Sequence, residues 1–371
     1  MREIQFSDNT VGAEEITAVT EVLSSRWLSA GRVTRQFELA FAEALGVSDA
    51  VAVSTGTAAL HVGLASLGIG PGDEVIMPSL TFAAGAAMTV LLGAKPVFAD
   101  LRSDLDLCLS PDSVRMLITE RTKAVIVTHY GGYAADIAAL RDITAPRGIA
   151  LVEDAAHAPV VRSGSVMLGT IGDAGCFSFY ATKNVTMGEG GLVIAADPGR
   201  LAVCRAMRSH HMAAAGDSYD IAALGMNYRP TEICAAIGAV QLSRLPEDRI
   251  RRRSLTVRYQ ELLADLPGLQ VPFADRDLAT EDSALHLFVV LLPHGVRRAE
   301  VRDALQQRGV PTSVHYPPTH HLTYYREFRH GYLPVTDRVA GRLLTLPLHA
   351  RMTEDEAGYV AGQLRSVLSR R

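Results

Sequence analysis

A two-part α/β protein is what this 371-residue sequence predicts: a large, mostly parallel sheet flanked by helices, then a smaller C-terminal α+β part. Three observations carry that expectation. Short apolar runs, too continuous to be half-exposed strands, alternate with stretches of helical period through residues 1–245. The alternation is lost from residue 246 to 371. The length also suits one large core and one smaller one.

The elements justify themselves in order. Val11, Ile16, Val19 and Leu23, then Phe37, Phe41 and Leu45 before Gly46, recur near helical spacing and predict two amphipathic helices. Between them, Trp27-Leu28-Ser29-Ala30-Gly31 reads as a loop holding the only tryptophan, either a packing anchor or part of a substrate loop. Val51-Ala52-Val53 reads as a strand, Ser54 to Thr57 as a tight turn, and Leu60, Leu64 and Leu67 as one face of a helix. Free N–H groups and the positive end of the helix dipole make such a turn suit a phosphate, while hydroxyl-rich turns also serve as plain caps.

Strands are expected at 74–77, 96–99, 123–128 and 148–152, with helices at 81–92, from the Ser110-Pro111 cap to 118, and at 136–144. A strand at 191–196 and a helix at 200–208 follow, and 209–225 reads as a long polar loop. Asn227 to Glu232 leads into a helix bearing Ile233, Ile237 and Val240, with Pro230 suited to its first turn. Pro246 reads as the boundary, beyond which a charged helix leaves the alternating pattern. Strands at 285–292 and 312–315 and helices at 298–308, 335–344 and 354–368 complete the smaller part.

Composition excludes several classes. Lys plus Arg is 36 against 40 Asp plus Glu, a net −4, which gives no electrostatic footprint for nucleic acid. No apolar run approaches the roughly 20 residues a membrane span needs, and MREIQFSDNT holds no apolar signal core. Cys108, Cys176, Cys204 and Cys234 are widely spaced without a CxxC pair, the pattern of reduced thiols in a cytoplasmic protein.

The chemistry concentrates between Glu153 and Gly191. Asp154 ends one apolar run and Lys183 follows another, with Phe177, Phe179 and Tyr180 before the lysine and Gly188-Glu189-Gly190-Gly191 after it. A lysine amine that takes up an aldehyde, and a carboxylate that keeps a pyridine nitrogen protonated, are the two groups pyridoxal phosphate needs. Apolar surroundings would lower the lysine pKa as that chemistry requires. The pairs His210-His211 and His320-His321 suggest metal, but adjacent residues are not expected to present two ligands on one face and no HExxH spacing occurs, so no metal is expected. The DRIRRR run at 248–253 reads as a solvated helix face.

GTAAL (56–60), EDAAHA (153–158), FSFYATKN (177–184), GEGG (188–191), NYR (227–229) and HYPP (315–318) together resemble the DegT-type nucleotide-sugar aminotransferases, pyridoxal-phosphate enzymes of fold type I. The resemblance implies roles. Lys183 would be the Schiff-base lysine and general acid/base, Asp154 the partner of the pyridine nitrogen, and His157 a neighbour of the ring. Gly56, Thr57 and Ser178 would hold the phosphate, and Phe82 would stack on the cofactor. Asn227 and Arg229 would reach in from a partner subunit, making a homodimer with shared active sites. His315 and Tyr316 would lie on the sugar-nucleotide side, while a substrate role for Trp27 rests on its loop alone.

The implied reaction takes an amine from L-glutamate, leaves pyridoxamine phosphate, and delivers the amine to a nucleotide-linked keto-deoxysugar at C-4 or C-3. Relatives with histidine at the lysine position remove a hydroxyl instead; Lys183 favours transamination over such a dehydratase. A non-catalytic regulator that binds cofactor or sugar nucleotide is the other class, and it has no need of Lys183. The chain departs from the usual pattern at Ala158-Pro159 and at His210-His211-Met212, where glycine is more common.

Overall fold

The structure, a computed structural model, describes residues 4–369. Helices α1 (Ala13–Ser25) and α2 (Arg32–Leu45) precede an alternating series: β1 (Val51–Val53), α3 (Gly56–Ser66), β2 (Glu74–Pro78), α4 (Ala84–Leu91), β3 (Lys95–Ala99), α5 (Pro111–Leu117), β4 (Thr122–Thr128), α6 (Ile137–Thr144) and β5 (Ala150–Asp154). A short hairpin of β6 (Arg162–Ser163) and β7 (Val166–Met167) leads to β8 (Ala174–Ser178), β9 (Gly191–Ala195) and α7 (Pro198–Arg208). An outlying hairpin, β10 (Met212–Ala215) and β11 (Ser218–Ile221), precedes the long α8 (Glu232–Leu263). The chain ends with β12 (Phe288–Leu291), α9 (Arg298–Gln306), α10 (Pro334–Ala340), β13 (Leu343–Leu346) and α11 (Glu354–Leu368).

Seven strands form one sheet in the order β1-β9-β8-β5-β4-β2-β3. Pairings from β8 through β3 are parallel, while β9 runs antiparallel to both of its neighbours. The expected mostly parallel sheet is therefore present, with β9 as the reversed member. Continuous burial is what made its strands legible: β1 and β2 are buried at every residue. Reversal of β9 leaves β1 pointing the same way as β8. The carboxyl ends of β1, β2, β4, β5 and β8 therefore meet along one rim with the start of β9, where open α/β sheets bind ligands.

Helix α3 is buried at every residue from Ala58 to Leu64, as a core helix should be. Its Gly63 lies against the Cys176 thiol, so close packing onto β8 needs the missing side chain. The edge strand β1 is held by charge: buried Glu38 of α2 accepts from the Ala52 N–H at 3.0 Å, and Arg208 donates to Glu38 at 2.6 Å and to the Ala52 carbonyl at 2.9 Å.

Several expectations need correcting, among them the solvated face at 248–253, where Asp248 and Arg252 are buried. Helix α8 runs unbroken through Pro246. The proline is exposed, so the hydrogen bond it removes lies on the solvent side. The division we propose, residues 1–245 and 246–371, thus falls inside a helix. Residues 209–225 hold the exposed β10–β11 hairpin rather than a structureless loop. Thr312 to His315 makes one bridge, Ser313 with Thr345, instead of a strand; Pro311, Pro317 and Pro318 around it lack the donors a ladder needs. The helix expected to reach 344 stops at Ala340, and Leu343-Leu344 turn into β13 to pair with β12.

The apolar side chains of α1 also face the unexpected way. Ile16 and Leu23 are exposed while Glu15 and Val22 are buried, Glu15 accepting from Gln241 at 2.7 Å and Arg244 at 2.9 Å. No helix among the described residues is long and apolar enough to cross a membrane.

Gly191 opens β9 against the turn after β1, where a Cβ would stand 2.5 Å from the Thr55 carbonyl carbon. Backbone cannot yield as a flexible side chain can. Gly191→Ala is expected to lower unfolding stability by about 1–3 kcal/mol, read from the urea midpoint; an unchanged midpoint would show that this rim can relax.

Candidate active site

The rim encloses a cavity of about 550 Å³. Gly56, Thr57, Phe82, Asp154, His157, Ser178, Lys183, His315 and Tyr316 all line it, drawn from parts of the chain more than 250 residues apart. Each arrives for a local reason. Thr55 caps α3 by accepting from the Ala58 N–H at 3.0 Å, leaving the N–H groups of Gly56 and Thr57 without intrahelical acceptors. A Cβ on Gly56 would stand 2.7 Å from the Ser178 Cβ, so only glycine lets the helix start and β8 end side by side. The three groups form one cradle of donors, matching an anion.

Asp154 ends β5 and accepts from the Ala156 N–H at 3.1 Å. Burial raises its pKa, against the lowering influence of that N–H, Lys183 and His129. Such a carboxylate gains from a cationic partner. Lys183 follows β8 in a turn closed by its N–H on the Tyr180 carbonyl at 2.9 Å. Burial pulls its pKa down to about 8, Asp154 working the other way, so a neutral amine is accessible near neutral pH.

His157 has a fixed tautomer. The Gly131 N–H donates to Nδ1 at 3.3 Å, so Nε2–H donates to the Tyr316 hydroxyl at 2.9 Å. Burial holds His157 well below the usual histidine range, and puts His315 at about 4. The Tyr130 hydroxyl donates to the His315 carbonyl, and His315 Nδ1 lies 3.0 Å from the Thr345 hydroxyl. Phe82, 64% exposed, lies at the mouth with its ring centroid 6.0 Å from that of Tyr316.

An anion cradle, a carboxylate in want of a cation, a lysine of lowered pKa and an exposed aromatic ring, all on one cavity, fit pyridoxal phosphate. The DegT/DnrJ/EryC1/StrS aminotransferase family matches residues 9–365. The chain belongs to this family. Members depend on pyridoxal phosphate, and this chain is a pyridoxal-phosphate-dependent aminotransferase.

Among solved structures, the chain is similar to the aminotransferase TlmJ from Streptoalloteichus hindustanus, at 36% identity and TM-score 0.94 over 100% of both chains. It is similar to the sugar aminotransferase Spr1654 from Streptococcus pneumoniae, solved in pyridoxal-phosphate and pyridoxamine-phosphate forms, at 28% identity and TM-score 0.92, covering 100% of this chain. Spr1654 itself is covered to 98% in the one form and 99% in the other. It also resembles DesI, solved with its TDP-sugar product, at 35% identity and TM-score 0.89 over 98% of this chain and 92% of that one.

Trp27, Asn227 and Arg229 stand outside the cavity of their own subunit, and Trp27 is 64% exposed. The Trp27 loop is held by Glu232 at the start of α8, which accepts from the N–H groups of Gly31, Val33 and Thr34 at 2.7–2.8 Å, whereas the 227–229 segment runs beside the turn after β1, Ser54 donating its N–H to the Tyr228 carbonyl at 2.7 Å.

Two supporting groups were not anticipated. Glu153, fully buried behind Asp154, accepts from the Gly169, Ile171 and Gly172 N–H groups at 2.7 Å each and from His129 at 3.0 Å. His286 lines the cavity 4.5 Å from His157 between ring centroids; its Nδ1 lies 2.9 Å from Asn184 Oδ1, and Asn184 donates to the Ala284 carbonyl at 2.6 Å. Asn184 follows Lys183 directly, the one clue the sequence offered.

Glu153→Gln presents an amide to donors that need an acceptor, and is expected to destabilise by about 3–5 kcal/mol in denaturant titration. Acid should also weaken the fold. His157, His286 and His315 all titrate below their unfolded value near 6.5, so the stability from keeping them neutral is complete above pH 6.5 and is lost as pH falls toward 4. Asp154, shifted upward, works the other way, one group against three. The melting temperature should fall across that window; a flat profile would contradict the burial of these rings.

Proposed function

We propose that this aminotransferase moves an amine from L-glutamate to the ketone of a nucleotide-linked keto-deoxysugar, at C-4 or C-3, as a cytoplasmic homodimer with shared active sites. The observation carrying the reading is a single cavity that faces Lys183 and Asp154 inward and opens past Phe82, His315 and Tyr316. The solved complex of DesI with its TDP-sugar product supports the acceptor class.

Pyridoxal phosphate, when bound, supplies an aldehyde that takes up amines and a ring that accepts electrons. The chain's own residues do the rest. Gly56, Thr57 and Ser178 would bind the phosphate, and Asp154 would pair with the ring nitrogen. Lys183, neutral at a useful fraction near its pKa of about 8, would take a proton at Nζ from the donor carbon and return it on the acceptor side. The hydrogen bond from His157 to Tyr316 holds both rings against rotation, so the sugar side meets a fixed wall.

Asn227 and Arg229 would complete the neighbouring subunit's site, and Trp27, Leu28, Ile16 and Leu23 are exposed on the same chain. Exposed apolar side chains of this kind favour an interface.

Lys183→Ala should lower turnover by about 10^4-fold, and L-glutamate should change the visible spectrum of the wild-type enzyme but not of the mutant. A mutant that transaminates at the wild-type rate would end this reading. A panel of nucleotide keto-sugars then identifies the acceptor. Subunit mixing tests the sharing: Lys183→Ala chains combined with Asn227→Ala chains should regain activity, because one site per hybrid would hold both native residues. No regain would place Asn227 in its own subunit's site.

A further inference from the structure

Directly after the 315–318 segment, four stretches of chain meet around residues 79, 319–321, 330 and 337. The turn 319–321 carries His320 and His321, which point the same way despite being adjacent. His320 Nε2 lies 3.2 Å and His321 Nε2 3.1 Å from one oxygen, Asp337 Oδ1. The expectation that neighbouring histidines diverge does not hold here, because a tight turn with ring centroids 4.2 Å apart sets both on one carboxylate. His330 approaches His320 at 5.2 Å between centroids.

Each group is held from behind. The Ser79 hydroxyl lies 2.6 Å from His320 Nδ1, so with Nε2 given to a ligand the Nδ1–H donates to Ser79. His330 donates Nδ1–H to the Gly331 carbonyl at 2.8 Å, which leaves its Nε2 as a lone pair. Its backbone is fixed by the bridge to Phe98 at the β3 edge. Asp337 is placed by Asp100, which accepts from the Val335 and Thr336 N–H groups at 3.0 and 2.8 Å at the start of α10. Metal-bound imidazoles are oriented in this way, through the nitrogen that does not touch the metal.

We propose that His320, His321 and Asp337 bind a divalent transition metal of the zinc class, with water or His330 as the fourth ligand. Zinc bonds of about 2.0–2.2 Å at tetrahedral angles separate neighbouring ligand atoms by roughly 3.3–3.5 Å. The imidazole-to-carboxylate spacings of 3.1 and 3.2 Å need to open by only a few tenths of an ångström. Two imidazoles and one carboxylate favour zinc over magnesium or calcium, which take oxygen ligands. His321 and Asp337 are half exposed, which gives the ion an entry path.

The site would act as a clamp. Thr319 donates its N–H to the Ser79 carbonyl at 2.7 Å and its hydroxyl to the Thr81 carbonyl at 3.3 Å, next to Phe82. Metal here ties the end of β2 and the segment after Tyr316 to α10.

Titration of the pyridoxal-phosphate-loaded enzyme with zinc chloride, followed by calorimetry, tests the proposal. Wild type should take up one zinc per chain and gain thermal stability. His321→Ala and Asp337→Asn should each weaken binding by more than about 100-fold, and Ser79→Ala, which removes only the hydroxyl behind His320, by about 10-fold. Circular dichroism verifies that each variant is folded. No uptake by wild type, or equal uptake by the His321 and Asp337 variants, overturns the site, the second result placing the ion elsewhere.

Discussion

Two consecutive carboxylates at the end of β5 govern the arrangement of this enzyme. Side chains alternate across a strand, so Glu153 points back into the protein and Asp154 forward into the cavity. Burying an ion costs several kcal/mol unless its lone pairs are satisfied, and Glu153 is satisfied in full by three N–H groups and His129. Those partners are the loop that feeds β8 and the residue after β4, so the charge fixes the two strands on either side of Asp154. Asp154 receives one backbone donor and is left with a raised pKa. The protein spends its donors on the first carboxylate and leaves the second for a ligand.

Much of this could be read in the chain. Strands buried on both faces leave continuous apolar runs, and a polar residue at the end of one stands out, as Asp154 and Ser178 do. Lys183 stands out differently, as the lone lysine between an aromatic run and a glycine-rich turn. Contacts between distant segments leave no such mark. Asn184 reaches His286 and Ala284 about a hundred positions on, and Glu153 looks like any strand-end acid until the turn at 169–172 folds over it. Helical period located α1 but not its inward face, because the side it turns to α8 is built on Glu15, Gln241 and Arg244 rather than on apolar contact.

The chain at 158–160 and at 210–211 has unusual backbone. Val160, after Ala158-Pro159, has φ 53°, and His210 and His211 have φ 62° and 52°, a region that glycine enters freely and a β-branched residue does not. Strain of this kind persists only where the surroundings enforce it. At Val160 the enforcement is visible: Arg249 donates to the Pro159 and Val160 carbonyls at 3.1 and 2.7 Å and to Asp282. The strap that continues from His157 is thus held by a guanidinium from α8.

Helix α8 has 32 residues and a length of about 48 Å. Glu232 at its start fixes the Trp27 loop, Arg249 midway fixes the strap, and Arg252 donates to the Leu285 and Leu348 carbonyls at 3.4 and 3.2 Å. One residue inserted anywhere between Glu232 and Arg249 would turn every later side chain by about 100° about the axis. Both arginines would then leave their carbonyls while the first turn stayed in place. In the divergence of such chains, length can vary at the β10–β11 hairpin, which is exposed throughout; along α8 it is the residue count itself, more than any one side chain, that is under constraint.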